Sequence, residues 1–134
     1  MMIRNATLDD LQKLSELEHH INMTKLYVKI LSKEILVMMD GERLVGWLRY
    51  SLFWDEHPFM NMLFFIEGYR GQGYGTQLVT HWESAMKAEG YSLVMTSTQS
   101  NEDAQHFYRK LNYQDAGGFV LPKEPMELIF IKNL

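Results

Sequence analysis

The sequence feature with the clearest chemical potential is a cluster of four glycines, at positions 68, 71, 73 and 75. The cluster follows the apolar run Met60–Ile66 and precedes a segment with helical apolar spacing. Glycines allow backbone N–H groups to approach a ligand, and a helix that begins there adds unpaired N–H donors and a partial positive charge. Arg70 adds a guanidinium group suited to phosphate. The segment therefore predicts a phosphate-binding turn, and a tight turn without a ligand is the alternative.

The spacing of these glycines distinguishes three kinds of phosphate-binding loop. A P-loop needs Lys followed by Ser or Thr after its last glycine, whereas Tyr74 follows Gly73 here. A dinucleotide-binding fingerprint fits Gly71 and Gly73 but needs a glycine where Thr76 stands. The pattern that fits is R-x-x-G-x-G, which begins at Arg70 and lies between a strand and a helix.

A second block with chemical potential runs from Asn101 to Tyr113. Asn101 is predicted to cap a helix whose apolar side is formed by residues at i, i+3, i+4 and i+7, namely Ala104, Phe107, Tyr108 and Leu111. A tyrosine hydroxyl on such a helix can donate a hydrogen bond to a developing negative charge. A tyrosine that only packs in the core is the alternative.

Apolar periodicity and turn residues predict the elements that position these two blocks. We expect strands near 2–5, 35–39, 44–53, 60–66, 93–95, 113–120 and 127–132. We expect helices over about 11–21, 22–33, 76–90 and 101–111. The order β-α-α-β-β-β-α-β-α-β-β indicates an α/β fold with a mixed sheet flanked by helices, in one domain covering residues 1–134.

Composition excludes several classes of protein. The 134 residues carry a net charge of −4 and no cysteine, so neither a nucleic-acid binder, a disulfide scaffold nor a thiolate metal site is expected. The histidines, at 19, 20, 57, 81 and 106, lack metal-ligand spacing, and we predict no metal. The longest apolar runs are five residues, too short to cross a membrane, and the start lacks the pattern of a signal peptide, so a cytoplasmic location is predicted.

At this point the sequence resembles the GNAT acetyltransferase superfamily. Residues 63–78 look like its acetyl-CoA-binding motif A, and residues 101–113 are similar to its motif B. The resemblance implies a mostly antiparallel sheet with an opening between the fourth and fifth strands, an acetyltransferase activity, and acetyl-CoA as the acyl donor. Gln72 departs from a position that is often basic in the family, and Asn112 replaces the common glycine.

The resemblance also implies roles for individual residues. The backbone at Phe65 and Ile66 would pair with the pantetheine arm, and the backbone amides of the following turn would receive the pyrophosphate: Arg70, Gly71, Gln72, Gly73, Tyr74, Gly75 and Thr76. Asn101 would contact the pantetheine arm, Phe107 would line the site, and Tyr108 would stand near the thioester sulfur.

Transfer to an amine also needs a general base, because a lysine-like amine with a pKa of about 10.4 is mostly protonated at neutral pH. Glu67, directly after the central strand, is the first candidate, and the Asp55-Glu56-His57 loop is the second. A solvated turn carboxylate is an equally good interpretation of Glu67. Because the chain has no cysteine to carry the acetyl group, we expect direct transfer from CoA to the acceptor.

The sequence leaves the acceptor open among small amines and peptide or protein amines. We place acceptor specificity in the first two helices and in the aromatic and acidic loop at 53–59, which we expect near the active-site end. A non-catalytic acyl-CoA sensor is the alternative function, and a general phosphate-binding fold is a third. A homodimer is possible if the apolar tail strand at 128–131 forms a sheet edge, and an internal strand position explains that segment equally well.

Overall fold

The computed structural model describes residues 1–134 and contains seven strands, four α-helices and one short 3₁₀ turn. The elements are β1 (Met2–Asn5), the 3₁₀ turn (Leu8–Asp10), α1 (Leu11–Leu17), α2 (Met23–Leu31), β2 (Ile35–Asp40), β3 (Arg43–Phe53), β4 (His57–Phe65), α3 (Tyr74–Ala88), β5 (Leu93–Gln99), α4 (Ala104–Lys110), β6 (Gln114–Phe119) and β7 (Glu127–Asn133). This succession of strands and α-helices confirms the predicted one.

The strands form one hydrogen-bonded sheet in the order β1-β2-β3-β4-β5-β7-β6. The pairs β1–β2, β2–β3, β5–β7 and β6–β7 are antiparallel, and β4 and β5 are parallel. An α/β fold with a mostly antiparallel sheet is therefore confirmed. The chain divides into two compact units, one made of residues 1–50 and 62–82, the other of residues 51–61 and 83–134.

The core of the first unit lies between α1, α2 and the strands β2 and β3. Leu14, Leu26, Val37 and Trp47 are among its buried members. The β2–β3 hairpin turns at Gly41, whose φ of 60° is a left-handed conformation that glycine adopts without strain. The expected Asp40-Gly41 hairpin is thus confirmed.

The first helix is shorter than its apolar spacing predicts. It ends at Leu17, because Glu18 takes an extended backbone conformation (φ −96°, ψ 120°) and its buried carboxylate accepts a hydrogen bond from the indole of Trp47. Ile21 still packs against the same core, but from the loop. The second helix begins as predicted, since the Asn22 side chain accepts a hydrogen bond from the Lys25 backbone N–H at 2.8 Å.

The second unit contains the pairings of β5, β6 and β7. In the strand order β7 lies between β5 and β6, so the expectation that residues 128–131 form a sheet edge is wrong and the internal position is correct. Buried Glu83 accepts hydrogen bonds from the Tyr113 hydroxyl and from Lys132 Nζ, each at 2.8 Å. This network joins α3 to Tyr113, just before β6, and to β7.

The longest helix, α3, has 15 residues and buries Leu78, Val79, Trp82 and Met86. It is followed by Gly90 at φ 97°, as the glycine there predicts. No helix is both long and apolar enough to pass through a lipid bilayer. The cytoplasmic location stays a prediction.

Candidate active site

The glycine-rich turn between β4 and α3 depends on backbone conformations that other residues adopt only with strain. Gly68, Gly71 and Gly73 have φ angles of 93°, 69° and 87°. No atom lies near the position of a β-carbon at any of the three, so conformation, and not lack of space, explains the glycines. Gly75 and Thr76 differ, because they lie in the first turn of α3.

Three side chains brace this turn from within the first unit. Gln72 Nε2 donates to the Gly68 carbonyl oxygen at 2.6 Å, which closes the turn. Arg70 Nε donates to the carbonyl oxygen of Phe65, the last residue of β4, at 2.7 Å. The Tyr69 hydroxyl donates to Asp40 at 2.6 Å and so attaches the turn to the β2–β3 hairpin, and this bond raises the pKa of Tyr69.

The residues of the turn are largely exposed to solvent. Residues 71–73 and Thr76 are exposed, and α3 has no acidic side chain in its first turn. The first helical hydrogen bond runs from Gln77 N to the Gly73 carbonyl at 3.1 Å, so the amides at the very start of α3 have no partner within the helix. The helix dipole adds positive potential at this point. The turn can therefore bind an anion such as a pyrophosphate.

The end of β4 is held against β3. The Ile66 N–H donates to the Val45 carbonyl at 2.9 Å. The ring of Phe65 lies directly over Gly46, where a β-carbon would overlap it. Two of the backbone groups that are expected to contact pantetheine thus already have partners. The Ile66 N–H is bonded to Val45, and the Phe65 carbonyl is bonded to Arg70.

Glu67 lies in the turn after β4, and its side chain is exposed. This is the environment of a solvated carboxylate with access to ligands. The second candidate segment lies elsewhere, because Asp55 and Glu56 belong to the β3–β4 turn and His57 starts β4, whereas Glu67 follows the last residue of β4. The 53–59 segment and the glycine turn lie at opposite ends of β4, since residues 57–59 begin this strand. Its place near the active site stays a prediction.

Tyr108 lies in the second unit, on α4, and is only 6% exposed. Its hydroxyl donates to the thioether sulfur of Met60 at 3.7 Å. Met60 on β4 and Thr96 on β5 are paired neighbours, and the Thr96 hydroxyl donates to the Met60 carbonyl at 3.0 Å. The phenol is therefore directed at the place where β4 and β5 pair.

Burial raises the pKa of Tyr108 to about 12, and the negative charge of Glu102 adds to this, while a hydrogen bond with Thr96 opposes it. Tyr108 is consequently a neutral hydrogen-bond donor at all physiological pH values. A thioether is a weak acceptor. A thiolate in its place would form a much stronger, charge-assisted hydrogen bond.

The other predicted residues of this block are placed as follows. Phe107 packs edge-on against Tyr108 with ring centroids 5.2 Å apart, and it is half-buried. Asn101 is exposed in the turn before α4. The prediction that Asn101 caps the helix is wrong, since the cap position is Asp103 and the helix begins at Ala104. Asn112 has φ 70°, which agrees with the tolerance of asparagine for left-handed backbone.

Sequence reasoning missed four residues that shape these two regions. Gly46 admits the Phe65 ring, Asp40 holds Tyr69, and Met60 and Thr96 surround the Tyr108 hydroxyl. Gly46 carries a signal that could have been used, because an isolated glycine within an apolar strand indicates close approach of another group. The other three carry no local signal.

Comparison with known proteins identifies the family. The sequence profile described as Acetyltransferase (GNAT) family matches residues 3–113. The chain belongs to the GNAT acetyltransferase family. It is an acyltransferase that uses acetyl-CoA as the donor, and the predicted family and donor are confirmed. By sequence comparison, no curated protein matches it significantly.

Solved structures of acetyltransferases share the fold. A ribosomal-protein-alanine N-acetyltransferase from Brucella melitensis has a TM-score of 0.84 at 15% identity, with 100% of both chains covered. Ard1 from Thermoplasma volcanium has a TM-score of 0.82 at 14% identity, covering 99% of this chain and 97% of that one. An acetyltransferase of Bacillus anthracis in complex with acetyl coenzyme A has a TM-score of 0.69 at 18% identity, over 75% of this chain and 61% of that one.

Proposed function

We propose that this GNAT acetyltransferase transfers acetyl directly from acetyl-CoA to a primary amine of a small molecule, a peptide or a protein. The observation that carries the proposal is the exposed turn of three left-handed glycines, Gly68, Gly71 and Gly73, at the start of α3. Such a turn is suited to the pyrophosphate of the donor, because its backbone amides face the ligand and the helix dipole favours negative charge.

The amides from Arg70 to Thr76 bind the pyrophosphate in this proposal. Arg70 uses its Nε to hold the Phe65 carbonyl and keeps its guanidinium over the Phe64 ring, 5.0 Å from the ring centroid. Its terminal nitrogens are the part left for a phosphate oxygen. Gln72 brings no charge, and its hydrogen bond to Gly68 gives it a role in shaping the turn.

The thioester carbonyl needs a hydrogen-bond donor at the end of β4. Because the Ile66 N–H already donates to Val45, we assign this role to the Phe65 N–H. The Phe65 ring is seated over Gly46, which fixes the backbone at this residue. A preorganised donor of this kind stabilises the oxyanion that forms when the amine attacks.

In the transfer, the amine nitrogen bonds to the acetyl carbon and the carbon–sulfur bond breaks, with its electron pair leaving on sulfur. The amine loses one proton to a base, which passes it to solvent, and the departed thiolate takes one proton from solvent water. Tyr108 donates a hydrogen bond to the departing thiolate without losing its proton, because burial raises its pKa to about 12. Glu67, directly or through water, is the proposed base, and its exposure gives it access to solvent. Asn101 is proposed to contact the pantetheine arm, and Phe107 to line the site.

The test combines a binding measurement with a turnover measurement. Calorimetric titration with CoA and with ATP should show binding of CoA and much weaker binding of ATP, since a general phosphate site would not distinguish them. Incubation with acetyl-CoA and a panel of primary amines should release free CoA thiol and give an N-acetylated product by mass spectrometry. Binding of acetyl-CoA without thiol release for any amine would contradict the proposal and favour a sensor.

A further inference from the structure

A second region of the first unit has the composition of an anion-binding site. A groove of about 740 Å³ is formed by the α1–α2 loop, the start of α2, and β3. Its lining residues are His19, His20, Ile21, Asn22, Thr24, Lys25, Val28, Lys29 and Arg49. No acidic side chain lines it. The side chain of Arg49 is nine-tenths buried, yet its Nε has no hydrogen-bond partner.

The guanidinium of Arg49 is only partly neutralised. Its single ion pair, from Nη2 to Glu18 Oε2, is long at 3.4 Å. The same Glu18 carboxylate accepts stronger hydrogen bonds from Trp47 Nε1 and the His20 backbone N–H, both at 3.1 Å. A buried donor without a partner is costly. Because Arg49 lines the groove with an incomplete set of hydrogen bonds, an acceptor in the groove would find an available guanidinium.

The other charges at the groove favour the same kind of occupant. Lys25 is exposed at the start of α2, where the helix dipole is positive. Lys29 lies one turn further on, where it pairs with Glu34 at 3.1 Å. The lining of the groove thus includes Arg49, Lys25 and residues at the N-terminus of α2, all of which favour an anion. A carboxylate matches the planar fork of an arginine side chain.

The groove and the end of β4 belong to the same unit and are joined by packed side chains. The Trp47 ring packs on Phe64 of β4, with centroids 4.8 Å apart, and its indole N–H holds Glu18 beside Arg49. Along β3, Arg49 lies four residues from Val45, the partner of Ile66, which corresponds to about 13 Å at the usual rise per residue.

From this arrangement we propose that the groove binds the carboxylate of the acetyl acceptor. The acceptor class is thus a primary amine that carries a carboxylate several bonds away. The inference rests on the proposed transfer to an amine. Two sources share this chemistry, a free amino acid with a side-chain amine and a peptide amino terminus followed by an acidic residue.

The first test is binding, and it does not depend on turnover. Its probes are two matched pairs, L-lysine with cadaverine and Ala-Glu-NH₂ with Ala-Gln-NH₂, each differing by one carboxylate. The readout is the indole ¹⁵N–¹H resonance of Trp47, assigned with Trp47→Phe, because that N–H donates to the carboxylate that faces Arg49. Trp54 and Trp82 serve as internal references.

We expect the carboxylate member of at least one pair to shift the Trp47 resonance with a dissociation constant roughly tenfold or more below that of its partner. Which pair does so identifies the source of the carboxylate. Arg49→Gln should abolish the preference, and Arg49→Lys should keep part of it. Equal binding within both pairs, or no shift by any probe, would overturn the proposal.

Because Arg49 is buried, a second variant protects the test against misfolding. Lys25→Gln removes an exposed charge from the rim and should reduce the preference a few-fold with the fold intact. Lys13→Gln, which removes an equally exposed charge outside the groove, is the control and should change nothing. If Lys25→Gln and Arg49→Lys both retain the full preference, the groove is not the carboxylate site.

Kinetics then separate this inference from the proposed function. With an accepted amine pair, Arg49→Gln should raise KM for the carboxylate member, relative to KM for the neutral member, by roughly ten- to a hundredfold. An enzyme that acetylates neutral amines equally well would keep the proposed function and reject the groove. Carboxylate binding without any turnover would support the groove as a carboxylate site and reject the proposed function.

Discussion

The glycine turn and the Tyr108 region differ in the chemical groups that they offer to a ligand, which are backbone groups in the turn and a side chain at Tyr108. The turn presents backbone N–H groups to solvent, and its shape depends on left-handed φ angles at Gly68, Gly71 and Gly73. The Tyr108 region presents one side chain, 6% exposed, whose character is set by its neighbours. The turn is therefore sensitive to any change of backbone conformation, whereas the tyrosine is sensitive to the loss of a single hydroxyl group.

This difference separates binding from chemistry. In the proposed mechanism, backbone contacts of the turn to a pyrophosphate act before and after the reaction, so they contribute to affinity. One hydrogen bond to a departing sulfur gains strength only as charge develops, so it contributes to the rate. Variants in the two regions should consequently affect different kinetic constants.

The largest expected effect is that of Tyr108→Phe. Loss of the hydroxyl should lower kcat by roughly a hundredfold or more, with KM for acetyl-CoA nearly unchanged, because the donor acts in the transition state. Steady-state kinetics with thiol detection measures both constants. The loss of stability should be about 1 kcal/mol, since the hydroxyl donates to a weak thioether acceptor and its other hydrogen bond is with the neutral Thr96 hydroxyl. An unchanged kcat would remove Tyr108 from the mechanism.

Tyr113→Phe is the matched control for that variant. Tyr113 is also buried, packs edge-on against Tyr108 at 5.5 Å, and donates to Glu83. Its loss should cost roughly 1.5–3 kcal/mol of unfolding free energy, as for hydrogen bonds to charged groups. The kcat of the folded variant should stay close to that of the parent. Equal losses of kcat in both variants would show that the Tyr108 effect is structural.

A smaller effect, on binding, is expected for Gly73→Ala. An alanine at φ 87° is strained by about 1–3 kcal/mol, and relaxation of that strain would turn amides away from the pyrophosphate. Calorimetry should show a CoA dissociation constant about tenfold higher. Gly41→Ala, at φ 60° in the hairpin, should lose similar stability and keep its CoA affinity. A loss of affinity in both would indicate a general effect of destabilisation.

The last two expected effects concern pH, and the Tyr108 titration behind them has no consequence at physiological pH. The Tyr108 pKa is raised by burial to about 12, above its usual value near 10, so folding favours the protonated form. The associated stability is fully present below about pH 10 and is lost as the pH rises towards 12, by roughly 2–3 kcal/mol in total. Urea unfolding should show this alkaline loss, and Tyr108→Phe should show less of it. The remainder comes from Tyr113, whose pKa is also raised by burial and by Glu83.

The pH dependence of the rate follows from the same shift. Activity should rise from neutral to alkaline pH as the amine loses its proton, without a fall from Tyr108 below about pH 10. A descending limb near pH 8–9 that disappears in Tyr108→Phe would mean that the tyrosine titrates in the enzyme–substrate complex.

The order of elements could be predicted from sequence because each has a local cause. Asp40-Gly41 makes a hairpin turn, Asn22 caps α2, and Gly90 follows the end of α3. One helix boundary that was predicted wrongly, the end of α1, depends on a residue distant in the sequence. Glu18 leaves the helical conformation where it meets Trp47, 29 positions further on, and no local pattern contains that partner.

The candidate site divides in the same way. The positions of the glycine turn and of Tyr108 could be predicted from the sequence, since both follow from motifs of consecutive residues. The partners of the two regions were not, because Gly46 under Phe65, Asp40 on Tyr69 and Met60 at Tyr108 are brought in by strand pairing and packing. The groove at Arg49 could not be predicted from the sequence for the same reason.

The sequence by itself determined the order of the elements, the glycine-rich turn between β4 and α3 and the absence of a cysteine nucleophile, because these depend on residue types and short spacings. Only the tertiary structure decided that Tyr108 is a buried neutral donor, that the Ile66 N–H is already hydrogen-bonded, and that Arg49 lacks a full set of partners. The physical reason is that burial and hydrogen bonding depend on residues far apart in the chain. Burial and hydrogen bonding in turn set the protonation state of a side chain and decide which hydrogen-bonding groups of a site remain unpaired.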